Sequence, residues 1–339
     1  MADISSNNTT NSNYEFNGNL ANEVEIFVIC SLGIALNVFV TLILLKYREN
    51  GGIINILLVN LSVIDLLVSL LVILLTIFGA LKSGLNRSIS SGLGVMDVIC
   101  KISLYGVAIA SFCSTYILAT LAIERYRAIC YPLNSRNYHQ HYNIAIVISW
   151  FISFVSSAYT IALSQYEPYF YPYVCFLKGL NYAGSKIWVL LSYAIGYGVP
   201  VFVTICCYVT IAYKFIRSII QSDLPDMHTT YIIKRRKEMQ TVTILLIITI
   251  TSFIPKCLLF IFTNILTIEY ATSLNNRTDF ISNEFSTSFK ASFFRIISLV
   301  TLAQVIVNPL LYNFVSRKFR EKVYRYITIA LGRLRAASS

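Results

Sequence analysis

The sequence predicts an all-α membrane protein: a seven-transmembrane helix bundle with a short amphipathic helix after the seventh span. Three observations carry that prediction. Hydrophobic residues fill 56% of the 339 positions and charged residues only 13%, whereas a soluble domain carries roughly 25% charged residues. Seven apolar runs are of the length needed to cross a bilayer as helices, about 20 residues each; they cover roughly 24–46, 53–81, 98–123, 143–165, 187–213, 239–268 and 291–315. Basic residues also segregate. With the N-terminus outside, the inner segments hold 18 Lys and Arg against 6 acids, and the outer segments hold 8 against 9. That is the positive-inside pattern. It assigns the net charge of +11 to membrane topology rather than to nucleic-acid binding. A basic inner face also suits anionic lipid and acidic partner surfaces.

The runs do not alternate as barrel strands would, and lipid offers no partner to an open strand edge, so each is read as a helix. Residues 1–23 form a polar tail without Lys or Arg, carrying overlapping glycosylation sequons at Asn7 and Asn8. The first run lacks a basic flank and exceeds a signal-peptide core in length, so it is expected to remain as the first span. It opens a domain over 24–315 and carries GIALN (33–37). The second run carries NLSVID (60–65), and the loop after it has a sequon at Asn86. The third starts near Cys100 and stops at Glu124-Arg125-Tyr126; the fourth holds Trp150. Before the fifth lies YEPYFYPYVCF (166–176), an aromatic lid or stacking surface. Of the eight cysteines, Cys100 and Cys175 are the two on the oxidising outer side, and by elimination they pair. The fifth run holds Pro200 and Tyr208, the sixth SFIP (252–255) followed by Lys256, and the seventh Gln304 and NPLLY (308–312). Asn276 supplies another outer sequon. Within 316–339, Phe319, Val323, Tyr326 and Ile327 share one face and Arg and Lys the other. This pattern suits a helix lying on the inner membrane surface; a soluble packing face is the alternative.

Polar residues inside hydrocarbon are costly and usually functional. Here they are Asn37, Asn60, Asp65, Lys256, Gln304 and Asn308. Pro200, Pro255 and Pro309 are expected to kink their helices, each freeing a backbone carbonyl. No inverted repeat marks a transporter. The histidines, His139, His141 and His228, fall in inner loops, so no intramembrane metal cluster or nucleophile-base pair is expected and the chain is not read as an enzyme. A channel, transporter or scramblase-type protein is the alternative function.

In order, one landmark per helix, this set resembles the rhodopsin-like G-protein-coupled receptors over nearly the whole chain. The resemblance implies a plasma-membrane receptor with an extracellular ligand, a heterotrimeric G protein, and arrestin and receptor kinase as further partners. It implies that Asn37, Asp65 and Asn308 converge, and that Asp65 with Ser114 holds a sodium ion. Gln304 and Phe253 replace an asparagine and a tryptophan of that family, and a water-filled core without sodium is the alternative. Arg125 would be the G-protein switch. It pairs with Glu124 at rest and is released when the sixth helix swings out, with Tyr208 and Tyr312 filling the opened space. Arg235 stands where a second restraining acid is frequent; Glu238 is the candidate substitute, and raised basal activity is expected. Thr115 and Thr249 replace an Ile and a Phe that pack near the fifth-helix proline. The implied ligand pocket includes Val107, Ser111, Ser192, Phe253, Lys256, Arg295 and Leu302. Val107 stands where amine receptors carry a carboxylate, and Leu302 where opsins carry the retinal lysine, so neither an amine nor retinal is expected. Lys256, with Lys101, Lys186 and Arg295 as a cationic rim, suits an anionic group; structural pairing, for example Arg295 with Glu269, is weighed equally. A peptide or an anionic small molecule is the expected ligand.

Overall fold

The structure, a computed structural model, describes residues 5–46, 53–84, 93–131, 139–166, 175–177, 183–221, 229–276 and 284–315, and residues 321, 323, 324 and 328. Its helices are α1 (Ser5–Lys46), α2 (Ile53–Gly84), α3 (Leu93–Cys130), α4 (His139–Ser156), α5 (Ala158–Leu163), α6 (Ala183–Tyr193), α7 (Val199–Gln221), α8 (Thr229–Asn276) and α9 (Glu284–Val315). A π-helical turn over Ala194–Gly198 joins α6 to α7. Seven spans are long and apolar enough to cross a membrane: Glu23–Lys46, Ile53–Phe78, Gly94–Cys130, His141–Leu163, Gly184–Arg217, Glu238–Phe262 and Ser292–Tyr312. The third outruns its apolar stretch at both ends. Hydropathy stops at Lys101 and Glu124, but the backbone ladder continues through charged residues into the interface.

The third span is the hub. In its most apolar stretch 67% of residues are buried, against 17–33% in the other six. It packs against the second, fourth, fifth and sixth spans, while the first packs on the second and seventh to close the ring. Leu57, Leu61, Ile117, Leu121, Ile211, Leu245 and Tyr312 fill the centre. Val147, Phe151, Leu190 and Phe202 face outward, which is costly in water but neutral against lipid tails.

Two spans are irregular, for local reasons. The fourth, expected as one helix, breaks at Ser157 between α4 and α5. Along this segment Ser149 donates to the Ala145 carbonyl at 2.7 Å, Ser153 to Ser149 at 2.6 Å, and Thr160 to Ser157 at 2.7 Å. Hydroxyls that back-bond in this way bend helices. In the fifth span the π turn immediately precedes Pro200, with the Val199 N–H donating to the Ala194 carbonyl. The wider turn absorbs the missing proline N–H.

The expected aromatic lid begins as a hairpin. Strands β1 (Ser164–Tyr166) and β2 (Cys175–Leu177) pair antiparallel, with Tyr166 opposite Cys175. The Cys100–Cys175 disulfide ties β2 to the top of the third span. The Tyr166 N–H donates to Asp97 Oδ1 at 3.1 Å, which anchors β1 to the same helix. Residues 167–174, Asn86 and Phe319 lie outside the described residues, as do the side chains of Asn7, Asn8, Arg235, Glu269 and Asn276. Of the amphipathic segment, Glu321, Val323, Tyr324 and Thr328 are helical. Val323 packs on the core while Tyr324 faces out; Tyr326 and Ile327 of the expected apolar face lie outside the described residues.

Candidate functional site: a polar core linked to an inner ion pair

The polar core starts from the prolines. Pro255 lacks an N–H, so the Thr251 carbonyl one turn earlier has no intrahelical donor. Gln304 supplies one from the seventh span, with its Nε2 donating to the Thr251 carbonyl at 3.0 Å and the Ser252 carbonyl at 3.2 Å. Pro309 likewise frees the Val305 carbonyl, and Asn37 Nδ2 donates to it from the first span at 2.7 Å. Asn37 also donates to the Gly33 carbonyl at 2.9 Å. Gly33 permits the close approach, because a Cβ there would strike the Val305 side chain. Two amides thus satisfy two proline-freed carbonyls from neighbouring helices, which is how membrane bundles tolerate proline.

Asp65, Ser114 and Asn308 are all nearly buried in the bundle interior. Asn308 Nδ2 donates to Asp65 Oδ2 at 3.2 Å, and Ser252 Oγ donates to Asn308 Oδ1 at 3.4 Å. Lys256 extends inward from the sixth span, and its Nζ donates to Ser114 Oγ at 2.7 Å. Ser114 Oγ in turn donates to the Ser111 carbonyl at 2.9 Å. As placed, these residues do not fit a sodium ion, because an ammonium already holds the Ser114 oxygen. Asn37 and Gln304, expected in the same central set, bond to backbone carbonyls, since the prolines leave those carbonyls without donors.

At the inner end Arg125 Nε donates to Glu124 Oε2 at 2.5 Å, with side chains only 16% and 13% exposed. Adjacent residues do not face one another on a helix, so the contact depends on the reach of the arginine side chain. Glu238 is half-buried and forms no ion pair among the described residues, so it does not restrain Arg125 here. The Tyr208 and Tyr312 hydroxyls are buried without a hydrogen-bond partner among the described residues. Tyr126 packs edge-on against Tyr131. Lys214 Nζ donates to the Cys130 carbonyl at 2.6 Å, capping the third helix with a cation as its dipole favours.

The outer half departs most from expectation. Arg295 pairs with Glu25 of the first span at 2.8 Å, and Lys101 with Asp97 one helical turn away at 2.7 Å. With Lys256 turned inward, Lys186 alone among the four expected cations stays exposed with no partner among the described residues. Of the other three, Lys256 and Arg295 found an acceptor on a neighbouring element and Lys101 one on its own helix. Val107, Ser111 and Leu302 are half-buried and Ser192 is buried. Phe253 belongs to an aromatic layer with Phe112, Tyr159, Tyr193, Tyr197 and Phe260. Tyr197 meets Phe112 edge-on with centroids 4.9 Å apart, and Phe253 at 6.0 Å. Gly196 lets the Phe112 ring press on the fifth helix; a Cβ there would lie 2.5 Å from the ring. Below this layer, Thr115, Thr204, Thr249 and Phe253 line a small cleft beside Pro200.

Over residues 36–312 the chain matches the family described as 7 transmembrane receptor (rhodopsin family). The chain belongs to that receptor family. It is similar to the somatostatin receptor type 4 of Rattus norvegicus, with 24% identity over 307 residues covering 89% of this chain and 71% of the relative. It is also similar to the somatostatin receptor type 2 of Sus scrofa, with 24% identity over 335 residues covering 95% and 80%. Neuropeptide FF receptor 1 of Rattus norvegicus is 26% identical over 209 residues, covering 58% and 45%.

Several contacts of this receptor were not foreseen from its residue order. The Lys214 cap, the Arg295–Glu25 pair and the aromatic layer join groups far apart in sequence, and the hairpin pairs backbone across a loop that carries no strand signal. One signal was present. Tyr193 and Tyr197 stand at i and i+4, and Phe253 and Phe260 at i and i+7, which suggests rings stacked on single helix faces.

Proposed function

We propose that this chain is a cell-surface receptor, N-terminus outside, that binds an extracellular peptide and activates a heterotrimeric G protein. The carrying observation is the nearly buried Glu124–Arg125 pair at the inner end of the most buried helix. A charged pair held there is available to a partner once neighbouring helices move. The unpartnered Tyr208 and Tyr312 hydroxyls are acceptors and donors waiting for such a rearrangement. Arrestin and a receptor kinase would engage the same basic inner face.

A peptide is favoured over an anionic small molecule. Three of the four expected cations already have partners in the chain itself, and the relatives named above include receptors for somatostatin and neuropeptide FF. The disulfide-tied hairpin offers backbone edges and side chains to an extended ligand. The polar residues of the spans are consumed by bonds to one another, which disfavours a continuous channel or transport path.

The test is a screen of peptides and carboxylate-bearing small molecules against G-protein dissociation sensors. A peptide should signal through the wild type and not through R125A at matched surface expression. Signal from R125A equal to wild type, or a current that persists without G proteins, defeats the proposal.

A further inference from the structure

Asp65 is only 7% exposed, within a bundle whose outer faces meet lipid. A carboxylate there needs a counter-charge or a proton. Its direct hydrogen bond comes from a neutral amide, Asn308. Lys256 is the cation of the same polar core: it lies one helical turn after Ser252, whose hydroxyl bonds to Asn308, the amide that bonds to Asp65. Lys256 reaches this region by donating to Ser114 Oγ at 2.7 Å. The Ser114 hydrogen is committed to the Ser111 carbonyl. A hydroxyl has one hydrogen and two lone pairs, so the ammonium takes one of the two acceptor positions that Ser114 could offer a metal.

We infer that Lys256 is the resident counter-ion of Asp65, a tethered ammonium standing where the resemblance would place a free sodium ion, so that the resting receptor is insensitive to sodium. An ion coordinated by Ser114 would lie beside the ammonium. Like unit charges about 4 Å apart, at an effective dielectric near 20, weaken such binding on the order of a thousandfold. The lysine also needs no capture from solution, since its tether supplies a high effective concentration. It joins the third span to the sixth through one charge-assisted hydrogen bond, the kind that is stronger than a neutral pair. Lys256 therefore belongs to the internal frame rather than to the ligand pocket.

The test is thermal unfolding of the full chain, purified in detergent without ligand, with sodium chloride exchanged for N-methyl-D-glucamine chloride. Wild type and K256R should melt at the same temperature in both salts. K256Q should melt lower without sodium and recover with it. The folded-to-unfolded ratio should rise roughly tenfold when sodium reaches about ten times its Kd. D65N/K256Q should lose that response and be more stable than the sum of the single variants predicts. Sodium raising the wild-type melting temperature as much as that of K256Q overturns the assignment, and so do additive effects in the double variant. If K256Q does not fold, recovery of folding in D65N/K256Q supports the pairing, and failure of both variants to fold overturns it. No ligand or G protein enters these measurements, so their failure is distinct from failure of the receptor reading.

Discussion

Gln304 and Pro255 should be energetically coupled, and the coupling has a calculable size. The Thr251 carbonyl has no donor from its own helix because Pro255 carries no N–H. Gln304 Nε2 is its partner at 3.0 Å. The second bond, to Ser252 at 3.2 Å, goes to a carbonyl that can also accept from the Lys256 N–H within the helix. In Q304L the volume is nearly kept, but the Thr251 carbonyl is left without a donor in hydrocarbon. That costs about 1–3 kcal/mol. In P255A the backbone N–H returns, and the same Q304L change should cost only the weaker second bond, about 1 kcal/mol or less. The expected interaction energy is thus about 1–2 kcal/mol, well above the ~0.5 kcal/mol scatter of independent sites. Thermal unfolding of the four chains in one detergent measures it. If Q304L costs the same with proline and with alanine at position 255, the amide is not replacing the missing N–H and the reasoning fails.

Other perturbations test other parts of the molecule. E124Q should raise ligand-free G-protein signalling, because it removes about 1–2 kcal/mol of charge-assisted pairing, roughly a 5–30-fold shift in the resting equilibrium; a basal signal unchanged from wild type at equal surface expression counts against a resting role for the pair. C175S should free the hairpin from the third span and destabilise the fold by about 2–5 kcal/mol, read as loss of surface expression or a lowered melting temperature. G196V should force the Phe112 ring off the fifth helix at a cost of about 1–3 kcal/mol, while G184V, where a Cβ meets nothing within 4 Å, should melt like wild type. T115I with T249F should fill the cleft beside Pro200 and raise the melting temperature, and no gain would mean that the cleft closes by relaxation.

The architecture was legible because lipid imposes simple rules. A span must be apolar, of one length, and helical, so seven runs announced seven helices, and the basic residues marked one face. Cys100 and Cys175 could be paired by compartment alone. The Glu124–Arg125 contact was legible because its partners are neighbours in the chain. The long-range choices were not. Sequence identified Asn37 and Gln304 as intramembrane amides and identified the prolines, but not that each amide would answer a carbonyl freed on another helix. That match depends on helix rotation and on close approaches such as Gly33 against Val305.

Lys256 shows the division most plainly. Its position after Pro255 is visible in sequence and suggested a pocket cation. Whether a long, flexible side chain turns outward to a ligand or inward to Ser114 depends on which acceptor lies nearer in three dimensions. A buried charge takes the partner that offers the best hydrogen bond at least desolvation. The chain alone determined that an acid, a lysine and four amides would lie within the membrane. Only the packed bundle decided which of them meet, because side chains on different helices are brought within reach by packing rather than by sequence spacing.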